Sequence, residues 1–131
     1  MERETTKGFT EFTEVKDSGA RQEFATGSVR DTREGKGRYD LIPWYPIERL
    51  ARHYENGARK YASHNWKKGQ PLSRYLDSSV RHLSKYMQGA REEDHLVACI
   101  WNLFGYLWTE HQIDIKRLPA ELNDLENYFD V

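Results

Sequence analysis

Asp77, Arg81 and Lys85 follow one another at intervals of four, which on a helix stacks them into a single acid–cation ridge. An arginine there can fork onto phosphate oxygens, and a lysine can serve as a compact positive charge. Carboxylates recur nearby. Glu48 and Glu55 lie two helical turns apart and share a face, Asp77 falls in the first turn of a second segment, and Glu92, Glu93 and Asp94 open a third. Mg²⁺ takes oxygen ligands and keeps places for substrate phosphates. Three segments aiming acids into one crevice beside cations therefore suit a Mg²⁺-bound polyphosphate. The competing reading is structural: Arg52 can pair with Glu48 or Glu55, Asp77 with Arg81, and acids in a first turn suit the helix dipole.

Other polar residues interrupt patterns that are otherwise apolar. His95 and Asn102 stand seven apart in an apolar run, and each needs a hydrogen-bond partner when buried. They are either a satisfied core pair or a brace and contact for a ligand. Tyr61, Asn65 and Trp66 gather where a helix passes into a loop; Trp66 can stack on a base and Asn65 can read a purine edge, or both are packing and turn residues. Lys60 and Arg59 close that helix, where phosphate and the negative end of the dipole favour them alike. The candidates are thus Asp77, Arg81, Lys85 and His95 for catalysis, Glu48, Glu55, Asp77 and Asp94 for metal, and Lys60, Tyr61, Asn65, Trp66 and Asn102 for substrate.

The elements that must position these residues read as helices. A first helix spans about Pro46 to Tyr61, with Ile47, Leu50, Ala51, Tyr54 and Ala58 as its stripe, and Pro46 suits its first turn. A loop from Ser63 to Pro71 leads to a second helix, with Ser73 as N-cap and an end near Gly89. Leu76, Val80, Leu83 and Met87 form its stripe. A third helix spans about Arg91 to Gln112, and Leu96, Ile100, Leu103, Phe104 and Leu107 make it the most buried. A short helix over 119–128 follows Pro119. No strand is evident. Residues 1–38 lack apolar periodicity and form either a disordered segment or an arm that orders over a site; residues 39–131 form the helical domain. Loops this short favour antiparallel neighbours in an all-α, four-helix-type bundle.

The totals narrow the function classes. The chain has 131 residues and a net charge of −1, which fits one domain and supplies no field to recruit nucleic acid or an anionic membrane. Its many aromatics in a hydrophilic chain point to burial against further copies. The single cysteine, Cys99, allows no internal disulfide. No run approaches the length of a membrane span and the N-terminal residues lack the apolar core of a leader, so the expected location is cytoplasmic. There is no Walker loop, no adjacent His-Asp pair and no zinc-type Cys/His spacing. Glu121 and Asp124 form a Glu-x-x-Asp, but far in sequence from the other acids. The alternatives are a non-catalytic helical interaction module, with Trp44, Trp101 and Trp108 as anchors, and a house-cleaning pyrophosphatase for another deoxynucleoside triphosphate.

Four runs carry a resemblance: Gly27 to Pro43, with Arg30, Asp31, Lys36, Arg38 and Asp40; Gly57-Ala-Arg-Lys-Tyr61 through Asn65-Trp66; Asp77 through Arg81-His82; and His95 through Trp101-Asn102. In order and number they resemble the phage dATP/dGTP diphosphohydrolase family over about residues 24–108, and most of all its (d)GTP-hydrolysing branch in phages that replace adenine with 2-aminoadenine. The resemblance implies kinship with the all-α MazG-like nucleoside triphosphate pyrophosphatases, which assemble as homodimers or homotetramers and hold Mg²⁺ or Mn²⁺ on helix carboxylates. It implies hydrolysis of dGTP or GTP to the monophosphate, in the host cell's cytoplasm. It also makes Arg30, Lys36 and Arg38 substrate-binding candidates on an extended N-terminal arm. The sequence departs from the usual Glu-x-x-Glu and Glu-x-x-Asp pattern in its middle helices.

Overall fold

The structure is a computed structural model and describes residues 15–128. The chain divides into two units, residues 1–42 and 43–131. The first fourteen residues of the expected arm lie outside the described residues.

The first unit contains a small antiparallel hairpin, β1 (Arg21–Glu23) and β2 (Val29–Asp31), with Gln22 opposite Arg30. Its turn is closed by the Phe24 N–H donating to the Ser28 carbonyl (2.9 Å) and the Gly27 N–H to the Phe24 carbonyl (2.8 Å). Asp31 ties the hairpin to its flanks: its carboxylate accepts from Lys36 Nζ (2.7 Å) and from the Ser18 backbone N–H (3.1 Å) and hydroxyl. Lys36, then Ser18, hold this carboxyl well below its ordinary range. These strands correct the expectation of none. Three residues per strand are too few to show an apolar alternation, and polar contacts rather than a buried face secure them.

The second unit is helical: α1 (Trp44–Lys60), α2 (Leu72–Met87), α3 (His95–Asp114) and a single-turn α4 (Leu125–Tyr128). With the two short strands as the only sheet among the described residues, the fold is all-α. α1 begins two residues earlier than expected, and the expected 119–128 helix is instead a 3₁₀ turn, Ala120–Leu122, followed by α4. α2 stops where Gly89 takes φ +91°, a left-handed value that suits glycine. The Gly89 N–H then donates to the Tyr86 carbonyl and the Ala90 N–H to that of Lys85, both at 3.0 Å. Arg91 stacks 3.8 Å over the Tyr86 ring and donates to the Tyr86 and Ala90 carbonyls. The turn into α3 is therefore short and braced.

α2 and α3 pack antiparallel, and α1 lies on α3. The seam between α2 and α3 is small and polar. α2 buries Leu72, Ser73, Tyr75, Ser79 and His82; α3 buries His95, Val97, Ala98, Asn102, Gly105, Thr109 and Gln112. Spacings of three and four put most of each set on one face. The larger apolar side chains point elsewhere. Val80 (68%), Met87 (78%), Phe104 (51%) and Leu107 (62%) are exposed, as are Leu83, Ile100 and Leu103. This corrects the expected stripe of α2 and the expectation that Leu103, Phe104 and Leu107 lie in the core. Small residues let the two backbones approach closely, and the hydrogen bonds available along the seam favour that face within one chain.

The start of α2 is capped from a distance. Pro71, not Ser73, occupies the cap position. The Ser73 backbone N–H and hydroxyl donate to the two oxygens of Asp124, at 3.0 and 2.5 Å. Asp124→Ala is expected to cost about 1 kcal/mol, the usual value of a lost cap, read as a lowered urea midpoint. The two Ser73 bonds depress the Asp124 carboxyl pKa. The contribution is present above the ordinary aspartate pKa of about 3.9 and is lost as pH falls through the lowered folded value. The variant's deficit should therefore shrink in acid; an equal deficit at both pH values would refute the assignment.

Candidate functional site

The braced turn between α2 and α3 brings three helix-end residues to one place. His82, on the last turns of α2, and His95, the first residue of α3, face each other across the seam with Nδ1 atoms 2.9 Å apart. The His95 side chain is fully buried, and that of His82 is 11% exposed. Glu93 Oε1 lies 3.2 Å from His82 Nδ1 and 3.4 Å from His95 Nδ1. His95 Nε2 donates to Glu92 Oε1 at 2.7 Å, because an ionised carboxylate only accepts. Both glutamates stay more than half exposed, so the cluster is buried behind and open to solvent in front. Burial pushes the His82 pKa down, Arg81 next adding to the effect. Glu92 is held below its ordinary value, first by a backbone hydrogen bond of its own and then by His95.

Arg81 and Lys85 flank His82 on α2, and both are exposed. Among the described residues, Arg81 donates only to the Ser78 hydroxyl, at 3.3 Å. Asp77 does not pair with it, which corrects the expected Asp77–Arg81 link. Two cations that form no salt bridge among the described residues thus stand beside a cluster of imidazoles and acids, an arrangement able to take up a multiply charged oxyanion.

The four expected metal ligands do not converge. Glu48 accepts from Arg52 and Glu55 from Arg59, each at 2.6 Å and each exposed on α1. Asp77 is exposed on α2. Asp94 is forked by Arg49 at 2.6 and 2.6 Å and caps α3 by accepting from the Val97 N–H. Arg49 holds the Asp94 carboxyl below its ordinary range. The physical reason is local: an arginine four residues along α1 takes up each glutamate, and Asp94 is committed to a cross-helix fork. Among the described residues, the histidine, cysteine and acid side chains that converge in number sufficient for a metal are His82, Glu93 and His95.

The expected substrate residues scatter. Trp66 packs edge-on against Trp108 (5.1 Å) and Tyr54 (6.4 Å), and Trp101 meets Tyr54 and His53. Trp66, Trp101 and Trp108 therefore make one cluster that fastens the loop and α1 to α3, rather than a free stacking platform or interface anchors. Burial lowers the His53 pKa there. Tyr61 is exposed, with Lys60 Nζ 5.2 Å over its ring. Asn65 opens a 3₁₀ turn, half-buried. Asn102 does not meet His95; its amide donates to the Ala98 carbonyl at 2.8 Å. In the first unit, Arg38 forks onto Asp40 at 2.8 and 2.8 Å, Lys36 is bound to Asp31, and Arg30 is exposed.

The residues missing from the sequence-based candidates are His82, Glu93 and Arg49. A signal for His82 exists: it and His95 are equidistant from the Gln88–Gly89 turn, so antiparallel helices must bring them level. Arg49 has no comparable signal, since its partner lies forty-five residues away.

No curated protein and no solved structure matches the chain. A family model described as dATP/dGTP diphosphohydrolase, N-terminal, matches residues 26–117, a span that begins at the hairpin turn and takes in all of α1, α2 and α3. No helix among the described residues is long and apolar enough to cross a membrane. With well over half of its length matched, including the whole His82–His95 cluster and the cations beside it, the chain belongs to the dATP/dGTP diphosphohydrolase family, a family of hydrolases.

Proposed function

We propose that the protein hydrolyses purine (deoxy)nucleoside triphosphates to the monophosphate with a divalent metal ion, dGTP and GTP being its preferred substrates, in the cytoplasm of the cell that holds the nucleotide pool. The observation that carries this reading is the pair of exposed cations, Arg81 and Lys85, which form no salt bridge among the described residues and stand beside convergent imidazole and carboxylate atoms. The guanidinium and ammonium bind phosphate oxygens and neutralise the charge that builds on them as the anhydride bond breaks. Glu92 and Glu93 keep an acidic, solvent-open rim at the same end of α2 and α3. A divalent ion, when bound, supplies charge neutralisation and a water of lowered pKa. The motif resemblance supports the finer reading, in which the dGMP feeds synthesis of 2-aminoadenine nucleotides in a phage. The test is a panel of eight ribo- and deoxynucleoside triphosphates with Mg²⁺ or Mn²⁺, products resolved by chromatography. Monophosphate should appear fastest from dGTP and GTP; no turnover of any triphosphate would refute the reading.

The protein is further proposed to work as a homodimer or homotetramer. The support is the uncovered apolar surface: Val80, Met87, Phe104 and Leu107 are all exposed on α2 and α3, and large exposed apolar patches mark association sites. Light scattering at micromolar concentration should give at least twice the chain mass, and Phe104→Asp should lower it. A folded, active monomer would count against this.

A further inference from the structure

We propose that His82 Nδ1, His95 Nδ1 and Glu93 Oε1 are the protein ligands of a first-row transition-metal ion, Mn²⁺, Co²⁺ or Zn²⁺ rather than Mg²⁺, and that Glu92 is the positioning residue that aims His95.

The distances among the three atoms fit a shared ion. Ligand atoms about 2.1 Å from one metal lie roughly 3.0 Å apart at right angles and roughly 3.4 Å apart at the tetrahedral angle. The three separations here are 2.9, 3.2 and 3.4 Å, which spans that interval. Three unconnected side chains on two helices and a turn reach it together.

Proton counting points the same way. His95 Nε2 carries a hydrogen, because it faces a carboxylate oxygen. In the neutral ring His95 Nδ1 is then a lone pair. His82 Nδ1 can place one hydrogen in the group, toward His95 or toward Glu93. That leaves the 3.4 Å approach of His95 Nδ1 to Glu93 Oε1 as a meeting of two acceptors. A cation at the centre satisfies all three atoms at once. The Glu92 contact is the outer partner expected of a metal-bound histidine, whose second ring N–H is given to a carboxylate that fixes tautomer and orientation.

The ligand chemistry selects the ion. Imidazole nitrogen suits Mn²⁺, Co²⁺ and Zn²⁺ increasingly well, whereas Mg²⁺ prefers oxygen and sheds water reluctantly. Three protein ligands leave further positions for water or substrate, as catalytic sites do. The exposed flank at Glu92 and Glu93 gives a way in. This assignment rests on the hydrolase reading only for its role in turnover; the binding itself does not depend on it.

The test uses the full chain, stripped with chelator and held without nucleotide. Co²⁺ is titrated while the visible ligand-field spectrum is followed, and Zn²⁺ affinity is measured against a chromophoric chelator. One Co²⁺ per chain is expected, not displaced by a 100-fold excess of Mg²⁺. His82→Gln should abolish the spectrum. Glu93→Gln should weaken Zn²⁺ binding at least tenfold, and Glu92→Gln about 10- to 100-fold, the usual effect of losing an outer partner. Glu92 and Glu93 are exposed, so these two variants keep their helical circular dichroism even where His82→Gln does not. The proposal is overturned if Co²⁺ leaves no spectrum, if Mg²⁺ displaces it at equal concentration, or if Glu93→Gln and Glu92→Gln bind as the parent does. That last result would make the cluster a hydrogen-bonded histidine pair flanked by glutamates. Tight Co²⁺ binding without triphosphate turnover would refute the hydrolase reading alone. Turnover with Mg²⁺ by a chain that binds no Co²⁺ would refute this site alone.

Discussion

Arg81→Ala should lower kcat/KM for dGTP by about 100- to 1,000-fold, the cost of removing one donor aimed at transition-state charge, while the melting temperature stays where it was. The structure separates this outcome from the structural alternative. A helical ion pair would be worth about 0.3–0.5 kcal/mol, but Arg81 makes none among the described residues. It donates to the Ser78 hydroxyl at 3.3 Å and is exposed, so the fold has little to lose with it. Lys85, one turn further along α2, should behave in the same direction with a smaller loss, since an ammonium supplies charge without a planar fork. Because both stand on the helix that carries His82, a change in kcat at constant metal affinity would place them on the substrate rather than on the ion. Rates within about threefold of the parent for both variants would assign the ridge to solvent.

Gly105→Ala should destabilise the protein, against the direction that helix propensity predicts. In a free helix the change gains up to about 1 kcal/mol. Here the new Cβ would lie 2.5 Å from Tyr75 Cε1, 3.0 Å from Cδ1 and 3.1 Å from Cζ. The Tyr75 ring is 1% exposed, and its hydroxyl accepts from Thr109 Oγ1 at 3.2 Å. It cannot swing aside without breaking that bond or prying α2 from α3. Overpacking of this kind costs about 1–3 kcal/mol, so a net loss of about 1–2 kcal/mol is expected for alanine and about 3 kcal/mol for Gly105→Val. Urea unfolding measures it. Tyr75→Leu should relieve the alanine variant in the double mutant, since it removes the clashing ring. An alanine variant at least as stable as the parent would show that Gly105 does not set the seam. The same variants should weaken the His82–His95 cluster, because both depend on the distance between α2 and α3.

The positions of α1, α2 and α3 were legible from local patterns. Apolar residues at three- and four-residue intervals, the proline-rich entry to α1 and Gly89 past α2 act within a turn or two of chain, and each helix falls within a few residues of where those signals put it. The hairpin was not legible, because Asp31 secures it through Ser18 and Lys36, neither of which leaves a periodic trace.

Which face of each helix is buried is a different kind of question. By sequence, Leu76, Val80, Leu83 and Met87 are the natural inner stripe of α2. The structure instead buries Leu72, Tyr75, Ser79 and His82 on the face of α2 that meets α3, and His95, Ala98, Asn102 and Gly105 on the facing side of α3. Hydrophobicity counts side chains one at a time, whereas the seam is chosen by pairs: a glycine opposite a tyrosine ring, a histidine opposite a histidine. The same holds for the site. Glu48, Glu55, Asp77 and Asp94 share the right chemistry, but ion pairing within a helix turn or across to Arg49 engages three of them and nothing gathers the fourth. The sequence by itself determined the helices, the ridge of Arg81 and Lys85, and the kinship with a nucleotide hydrolase family. Only the tertiary structure decided which acids and imidazoles meet, because that depends on the close approach of α2 and α3, a distance set by contacts between residues far apart in the chain.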